Sequence, residues 1–538
     1  MWLPQGATVG AVVPFLVALL IIILFSWFYL SRYRNRYESE RSSFVTSVIS
    51  LTIVMITSAL LPVDIFLVSY MKSSNGMFQP WASELSVRES IENSVLYCYY
   101  VAYGFVFFCV FIMIPFMYFY YEEKDDDEQD SNDRICTAVK FTSVFVFIAS
   151  ALLLVGAFVP LKPATNSTEW EKIKDMFENL GTDRGEDAIS MVLSILCVLG
   201  MLNLVFYTAF GMSSWPIGLI RGTSSARIQS EEVQSRNIVI QTRINALRDK
   251  ERITSRLTPK EKRILNQLEE EERTIRMEEQ LVDQHRNSWS YKCRTILRPI
   301  EIIVGVFAAC LGLVLWVSLL ITNIDRDIHS EMKTGYALQN FSLPNPIDLL
   351  LVQLQKVFPL DYILILIITW LLVLCTMSGI RNLGIRIFCF KMFKLRKQKT
   401  PPQGLLLTCA ILMLSVLTFN VFLYTVSPQY TTYGSQHYIK PVVNATDELD
   451  IQVKAEVHSC PDPLYPRNCT MTRNSVLLVR FFYKAWYFGA FYHWASWGYL
   501  LISGLALLYA LIRKSRTVTE GMVDRDDFEE SEDRPMVR

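Results

Sequence analysis

The 538-residue chain reads as an all-α polytopic membrane protein with nine transmembrane helices, a lumenal N-terminus, a cytosolic C-terminus and a cytosolic helical hairpin insertion. Three observations predict this. Apolar residues make up 51% of the chain and are bunched into long runs instead of being spread at core spacing, which is how a chain meets lipid. Lys and Arg, balanced overall by Asp and Glu at 52 each, crowd into a few gaps between those runs, and basic residues are retained on the cytosolic side. Four N-glycosylation acceptor sequences, at Asn166, Asn340, Asn444 and Asn468, fall in other gaps, all on the opposite side.

A hydrocarbon core of about 30 Å is crossed by roughly 20 helical residues rising about 1.5 Å each. Runs of that length predict spans at 9–30, 44–71, 95–121, 138–160, 188–213, 300–323, 359–380, 404–426 and 485–512. Met1 to Thr8 carries no Lys or Arg, whereas Arg32, Arg34, Arg36 and Arg41 follow the first run. The N-terminus is therefore lumenal, and the first run, with no small-residue cleavage site behind it, is a retained anchor. Nine crossings place the tail in the cytosol. The segment from Arg381 to Lys399, rich in base and free of acid, and Arg513, Lys514 and Arg516 fall on that side as the rule requires.

The predicted organisation is spans one to five over 1–213, the cytosolic insertion over 214–298, spans six to eight over 299–426, a lumenal glycosylated loop over 427–484, span nine over 485–512 and an acidic cytosolic tail over 513–538. The tail is too poor in apolar residues to offset ordering entropy and is expected to be disordered. Of eleven cysteines, most lie in apolar runs, where a thiol is a small hydrophobe. Cys460 and Cys469 alone share a lumenal loop, which suggests a disulfide between them.

In the insertion, Ile240, Ile244 and Leu247, then Leu265, Leu268, Ile275 and Val282, recur near helical spacing. Thr258-Pro259-Lys260-Glu261 between them carries a helix-start signature, so two helices with a break near Leu257 are expected. Further on, Ile385, Phe388, Met392 and Leu395 make an apolar stripe beside Arg386, Lys391, Lys394, Arg396 and Lys397, predicting a helix laid on an anionic membrane surface, with membrane lipid as its partner.

Catalytic and nucleotide-binding motifs are absent: there is no GxSxG, HExxH, Walker A loop, GxGxxG or paired CxxC. The five histidines are scattered, so no metal cluster is expected. The chain is read as no enzyme, as having no cofactor of its own and no nucleic-acid partner, and as unable to pump with ATP by itself. Two intramembrane acids carry the remaining chemistry. Asp64, behind Pro62 in the second span, is either a solute or proton site or a structural acid holding helices together. Asp361, after Pro359 at the start of the seventh span, fits ordinary helix-start chemistry, with a shared vestibule with Asp64 as the alternative. The ninth span is dense in aromatics around His493, as interfacial belts are.

The words SALLPVDIFLVSYM at Ser58 to Met71, FYYEEKDDD at Phe119 to Asp127, LLLVGAFVPL at Leu152 to Leu161, NSTEWEK at Asn166 to Lys172, VFPLDYIL at Val357 to Leu364 and PQYTTYGSQ at Pro428 to Gln436 resemble the lipocalin-receptor-like (limb-region) family of nine-span membrane proteins. The resemblance implies a multi-pass lysosomal membrane protein that binds an ABC transporter, escorts it from the endoplasmic reticulum and supports cobalamin exit to the cytosol, with cobalamin as cargo or ligand. Other members of the family resemble cell-surface receptors and endocytic adaptors. Plasma-membrane residence, endocytic adaptor partners and a homodimer therefore stay open, as does transport by the chain itself.

Overall fold

The computed structural model describes residues 5–35, 41–73, 75–122, 131–158, 184–222, 226–254, 259–287, 289–329, 343–357, 359–387, 390–396, 398, 400–444, 452–460, 469–484 and 486–512. The chain is mostly helical. Its helices are α1 (Gln5–Ser31), α2 (Arg41–Tyr70), α3 (Leu85–Phe108), α4 (Ile114–Glu122), α5 (Ser131–Phe158), α6 (Arg184–Asn203), α7 (Ala209–Arg221), α8 (Ala226–Thr254) and α9 (Pro259–Asn287), followed by α10 (Trp289–His329), α11 (Pro346–Leu354), α12 (Leu360–Leu383), α13 (Pro402–Val426), α14 (Pro428–Tyr433), α15 (Arg473–Lys484) and α16 (Trp486–Ile512). Among the described residues, eight helical stretches are long and apolar enough to cross a membrane, and the apolar Phe15–Ser31 of α1 is a shorter one.

Several spans run longer than expected. A π-helical turn, Cys109–Met113, joins α3 to α4, and a second, Leu204–Thr208, joins α6 to α7, so that Leu85–Glu122 and Met191–Arg221 are continuous. The first turn ends two residues before Pro115, whose missing N–H and ring a regular α-helix does not accommodate. The expected boundaries at 213 and 298 fall inside the continuous helices α7 and α10.

The chain divides into two compact units, Met1–Ser213 with Cys310–Leu507, and Ser214–Ala309 with Leu508–Arg538. In the first, α13 is the central helix, 78% of its apolar window being buried against 17% for Arg134–Val155 in α5. It packs on α2, α4, α6 and α12. Two of its hydroxyls are satisfied within the helix, Thr408 donating to the Gly404 carbonyl at 2.8 Å and Ser415 to that of Ile411 at 2.7 Å, so these two add no unpaired group to an apolar core.

Small residues set the closest approaches. A Cβ on Gly211 would stand 1.8 Å from the Cys375 carbonyl oxygen, one on Gly379 2.0 Å from that of Tyr207, and one on Gly200 2.1 Å from that of Leu414. Between the first two, the Thr208 and Thr376 hydroxyls meet at 2.7 Å. Lipid offers no hydrophobic drive for helices to associate, so close backbone packing and buried hydroxyl pairs hold α12 to the π-turn segment.

In the second unit α8 and α9 lie antiparallel, tied by Gln241 to Glu272 at 3.3 Å, Arg248 to Glu269 at 2.7 Å, and Lys250 to Glu261. Ile244, Leu268 and Ile275 of the expected stripes are buried, and α9 begins at Pro259.

Two antiparallel ribbons depart from the all-α expectation. Strands β1 (Ile385–Ile387) and β2 (Phe390–Phe393) form where an amphipathic helix was expected. Gly384 ends α12 at φ +73°, a backbone that L side chains resist. The apolar and basic residues that follow fit a period of two as well as the helical one, and over so few residues the two are not separable from sequence. The Arg386 N–H donates to the Tyr207 hydroxyl at 3.1 Å, and the N–H groups of Gln398 and Thr400 donate to the carbonyls of Arg32 and Tyr33 at the end of α1, each at 3.1 Å. The second ribbon pairs β3 (His437–Asn444) with β4 (Gln452–Ser459), from His437 opposite Ser459 to Asn444 opposite Gln452.

Gly379→Ala should lower the unfolding midpoint in detergent by overpacking a backbone contact, at about 1–3 kcal/mol. Gly504→Ala, whose Cβ meets nothing within 4 Å, should leave the midpoint unchanged in the same thermal assay.

Candidate functional site

Three buried carboxylates, Asp64, Asp348 and Asp361, sit at the disulfide-bearing end of the first unit, and each meets the start of a helix. The first-turn N–H groups of any helix have no partner within it, and its positive end favours an anion. α15 starts with Thr472 as its cap, the Thr472 hydroxyl accepting from the Ser475 N–H at 3.3 Å. The N–H of Asn474 is taken by a different helix, donating to Asp64 Oδ2 of α2 at 2.9 Å across 410 residues of sequence. Arg473 beside it forms an ion pair with Glu92 of α3.

The same logic governs α14. Pro428, first in the helix, has no N–H, and Tyr430 donates its N–H to Asp348 Oδ1 at 3.4 Å while the Ser427 hydroxyl donates to the same oxygen. Asp348 is itself fixed in the first turn of α11, where Asn345 caps by accepting from the Ile347 N–H at 3.1 Å and donates to the Val426 carbonyl at 2.7 Å. Asp361 serves its own helix, accepting from the Tyr362 N–H at 3.0 Å, and also accepts from the Tyr430 hydroxyl at 2.7 Å.

α14 in turn anchors the ribbon and the disulfide. Gly434 closes it at φ +59°, where a Cβ would stand 2.0 Å from Ser69 Oγ, and that hydroxyl accepts from the Ser435 N–H at 3.0 Å. Gln436 clamps two segments: its amide donates to the Tyr433 carbonyl at 2.8 Å and the Thr470 carbonyl at 2.6 Å, and accepts from the Thr470 N–H at 3.1 Å. Its backbone carbonyl accepts from the Cys460 N–H at 3.0 Å, and Gln429 donates to the Cys460 carbonyl at 2.9 Å. Cys460 and Cys469 form a disulfide that packs with Tyr433, Tyr438 and Met471.

Asp64 and Asp361 thus serve different helices. The sequence singles out both but misses Asp348, whose Asn-Pro-Ile-Asp context was the available helix-start signal, and misses Tyr430 and Thr472. His493 is buried, with Nε2 3.0 Å from Asp327 Oδ1. Asn444 ends β3, while Asn166, Asn340, Asn468 and the tail from 513 lie outside the described residues. Among the described residues no group of three or more His, Cys, Asp or Glu could hold a metal ion.

The model of the LMBR1-like membrane protein family matches residues 11–297. The chain is 42% identical over 498 residues to the lysosomal cobalamin transport escort protein LMBD1 of Mus musculus and 41% identical over 499 residues to that of Gallus gallus, covering 92% of each chain in both cases. It is 40% identical over 505 residues, again 92% of both chains, to the probable lysosomal cobalamin transporter of Nematostella vectensis. This chain belongs to the LMBR1-like family. No solved structure matches it.

Within this LMBR1-like chain, the acid layer joins Asp64, inside the segment matched by the family model, to Asp348, Asp361 and Asn474, beyond it. Burial is the main cause that pushes the Asp348 carboxyl up to about 6 from 3.8, with the Ser427 hydroxyl and the Tyr430 and Gln429 amides pulling it down. The fold therefore holds that proton more tightly than the unfolded chain does. The resulting stability is complete below the ordinary carboxylate range and is lost as pH rises through about 6. Thermal unfolding between about pH 4 and about pH 7 should show this decline, with a ceiling of about 3 kcal/mol. Asp348→Asn should flatten it, and an unchanged slope would remove Asp348 as its source.

Proposed function

We propose that this chain is a lysosomal membrane escort and scaffold that binds an ABC transporter, brings it from the endoplasmic reticulum to the lysosome and supports cobalamin export to the cytosol. The observation that carries the reading is similarity along 92% of both chains to relatives whose names specify lysosomal cobalamin transport. The absence of a Walker A loop supports it, because energy from ATP must then come from another chain. Nine crossings with a lumenal N-terminus and cytosolic tail go with the proposal. So do glycans at Asn166, Asn340, Asn444 and Asn468 beside the Cys460–Cys469 bridge, in one oxidising compartment. The α8–α9 pair is the proposed cytosolic docking element, leaving Ile238, Val239, Ile253 and Ile264 exposed after it has buried its own stripe.

Transport by the chain alone is the second reading, and the geometry supports it less. Asp361 and Asp348 are engaged by helix starts and by Tyr430. One cavity among the described residues, lined by Ile347, Leu351, Ile365, Leu423, Ser427 and Thr431, holds about 10 Å³, room for about one water.

Purified protein in liposomes should give no cobalamin flux alone and flux when the ABC transporter is co-reconstituted. Flux without the partner, lost in Asp64→Asn, would favour the transporter reading. Deleting 226–287 should abolish co-purification of the ABC transporter, and undiminished recovery would clear the α8–α9 pair of that role.

A further inference from the structure

A row of polar side chains runs into the bundle from Asp64 and is not accounted for by helix starts. Asp64 Oδ2 accepts the Asn474 N–H. The Tyr99 hydroxyl, on a fully buried side chain, lies against the same carboxylate. One turn further along α3 lies Tyr103, its ring centroid 5.7 Å from that of Tyr99, and its hydroxyl accepts from Asn420 Nδ2 of α13 at 3.0 Å. Asn420 and Asn474 are 1% and 0% exposed. Asn420 Oδ1 and both side-chain polar atoms of Asn474 have no hydrogen-bond partner in the protein.

Each such atom left bare among apolar side chains costs of order a few kcal/mol, and lipid cannot satisfy it. The chemistry of the three atoms selects what does. Asn420 Oδ1 and Asn474 Oδ1 accept only, and Asn474 Nδ2 donates only. An anion would want donors throughout and a bare cation acceptors throughout, whereas water matches a mixed set through its two donors and two lone pairs. We propose that Asp64, Tyr99, Asn420 and Asn474 line a binding site for ordered water between α2, α3, α13 and α15, a row that runs past Tyr103 and links the Asp64 carboxylate to Asn420. Such a row lets Asp64 exchange its proton while the helices stay packed.

Millisecond X-ray radiolysis of the full chain in lipid nanodiscs tests this, since hydroxyl radicals born on bound water label the side chains beside it. Phe419 and Phe422, buried on the same α13, report any transient opening of the bundle. Tyr99 should be labelled several-fold faster than either phenylalanine, because the radical is then born beside it. Labelling of Tyr99 no faster than theirs would overturn the site. Asn420→Leu, which keeps the branched heavy-atom shape and removes the acceptor, should reduce labelling of Tyr103 several-fold relative to the wild type. Undiminished labelling in a folded variant would also contradict the proposal, and if the variant fails to fold, the comparison within the wild-type chain decides alone.

Discussion

A helix that begins inside an apolar bundle exposes N–H groups that lipid cannot satisfy, and most of the polar architecture of this chain follows from meeting that requirement. α14 and α15 both start within the packed end of the first unit. Neither carries all its caps in its own sequence, so α2 and α11 lend carboxylates. Asp64 reaches Asn474 and Asp348 reaches Tyr430, and in each case a buried acid that would be costly alone is matched by groups that would be costly alone. The exchange fixes α2 against α15 and α11 against α14, and through Gln436 and Gln429 it sets the place of the disulfide.

Most of the bundle was legible because membrane spans announce themselves by length and composition, which need no knowledge of partners. The π-turns that lengthen two of the spans were not legible, since they depend on local ring-to-backbone conflict and on packing. Asp64 was visible as an anomaly in an apolar run, but its partner lies 410 residues away, and no local pattern encodes such a pairing. Asp348 passed unnoticed because it stands in a short helix that is no span. The segment after Gly384 forms strands where its pattern equally supports a helix, because so short an alternation fits either period; a tyrosine hydroxyl on another segment, Tyr207, meets the Arg386 backbone there.

The acid layer also bears on function. Carboxylates engaged by backbone and by Tyr430 are poorly placed to bind a passing solute, which agrees with the proposed scaffold role better than with transport by the chain alone. The basic ends of α1 and β2, joined through Arg32, Tyr33, Gln398 and Thr400, give the opposite end of the first unit a comparable rigidity. Cross-ties at both ends of the first unit are in keeping with the proposed escort role.

Hydrogen exchange at the first turn of α15 tests the central claim most directly, comparing the wild type with Asp64→Leu under conditions where both remain folded. The wild-type Asn474 amide should be strongly protected, and the substitution should raise its exchange rate by one to two orders of magnitude, about what losing one buried hydrogen bond allows, while amides at mid-α13 stay unchanged. Equal protection in the two proteins would contradict the claim that Asp64 holds the start of this helix.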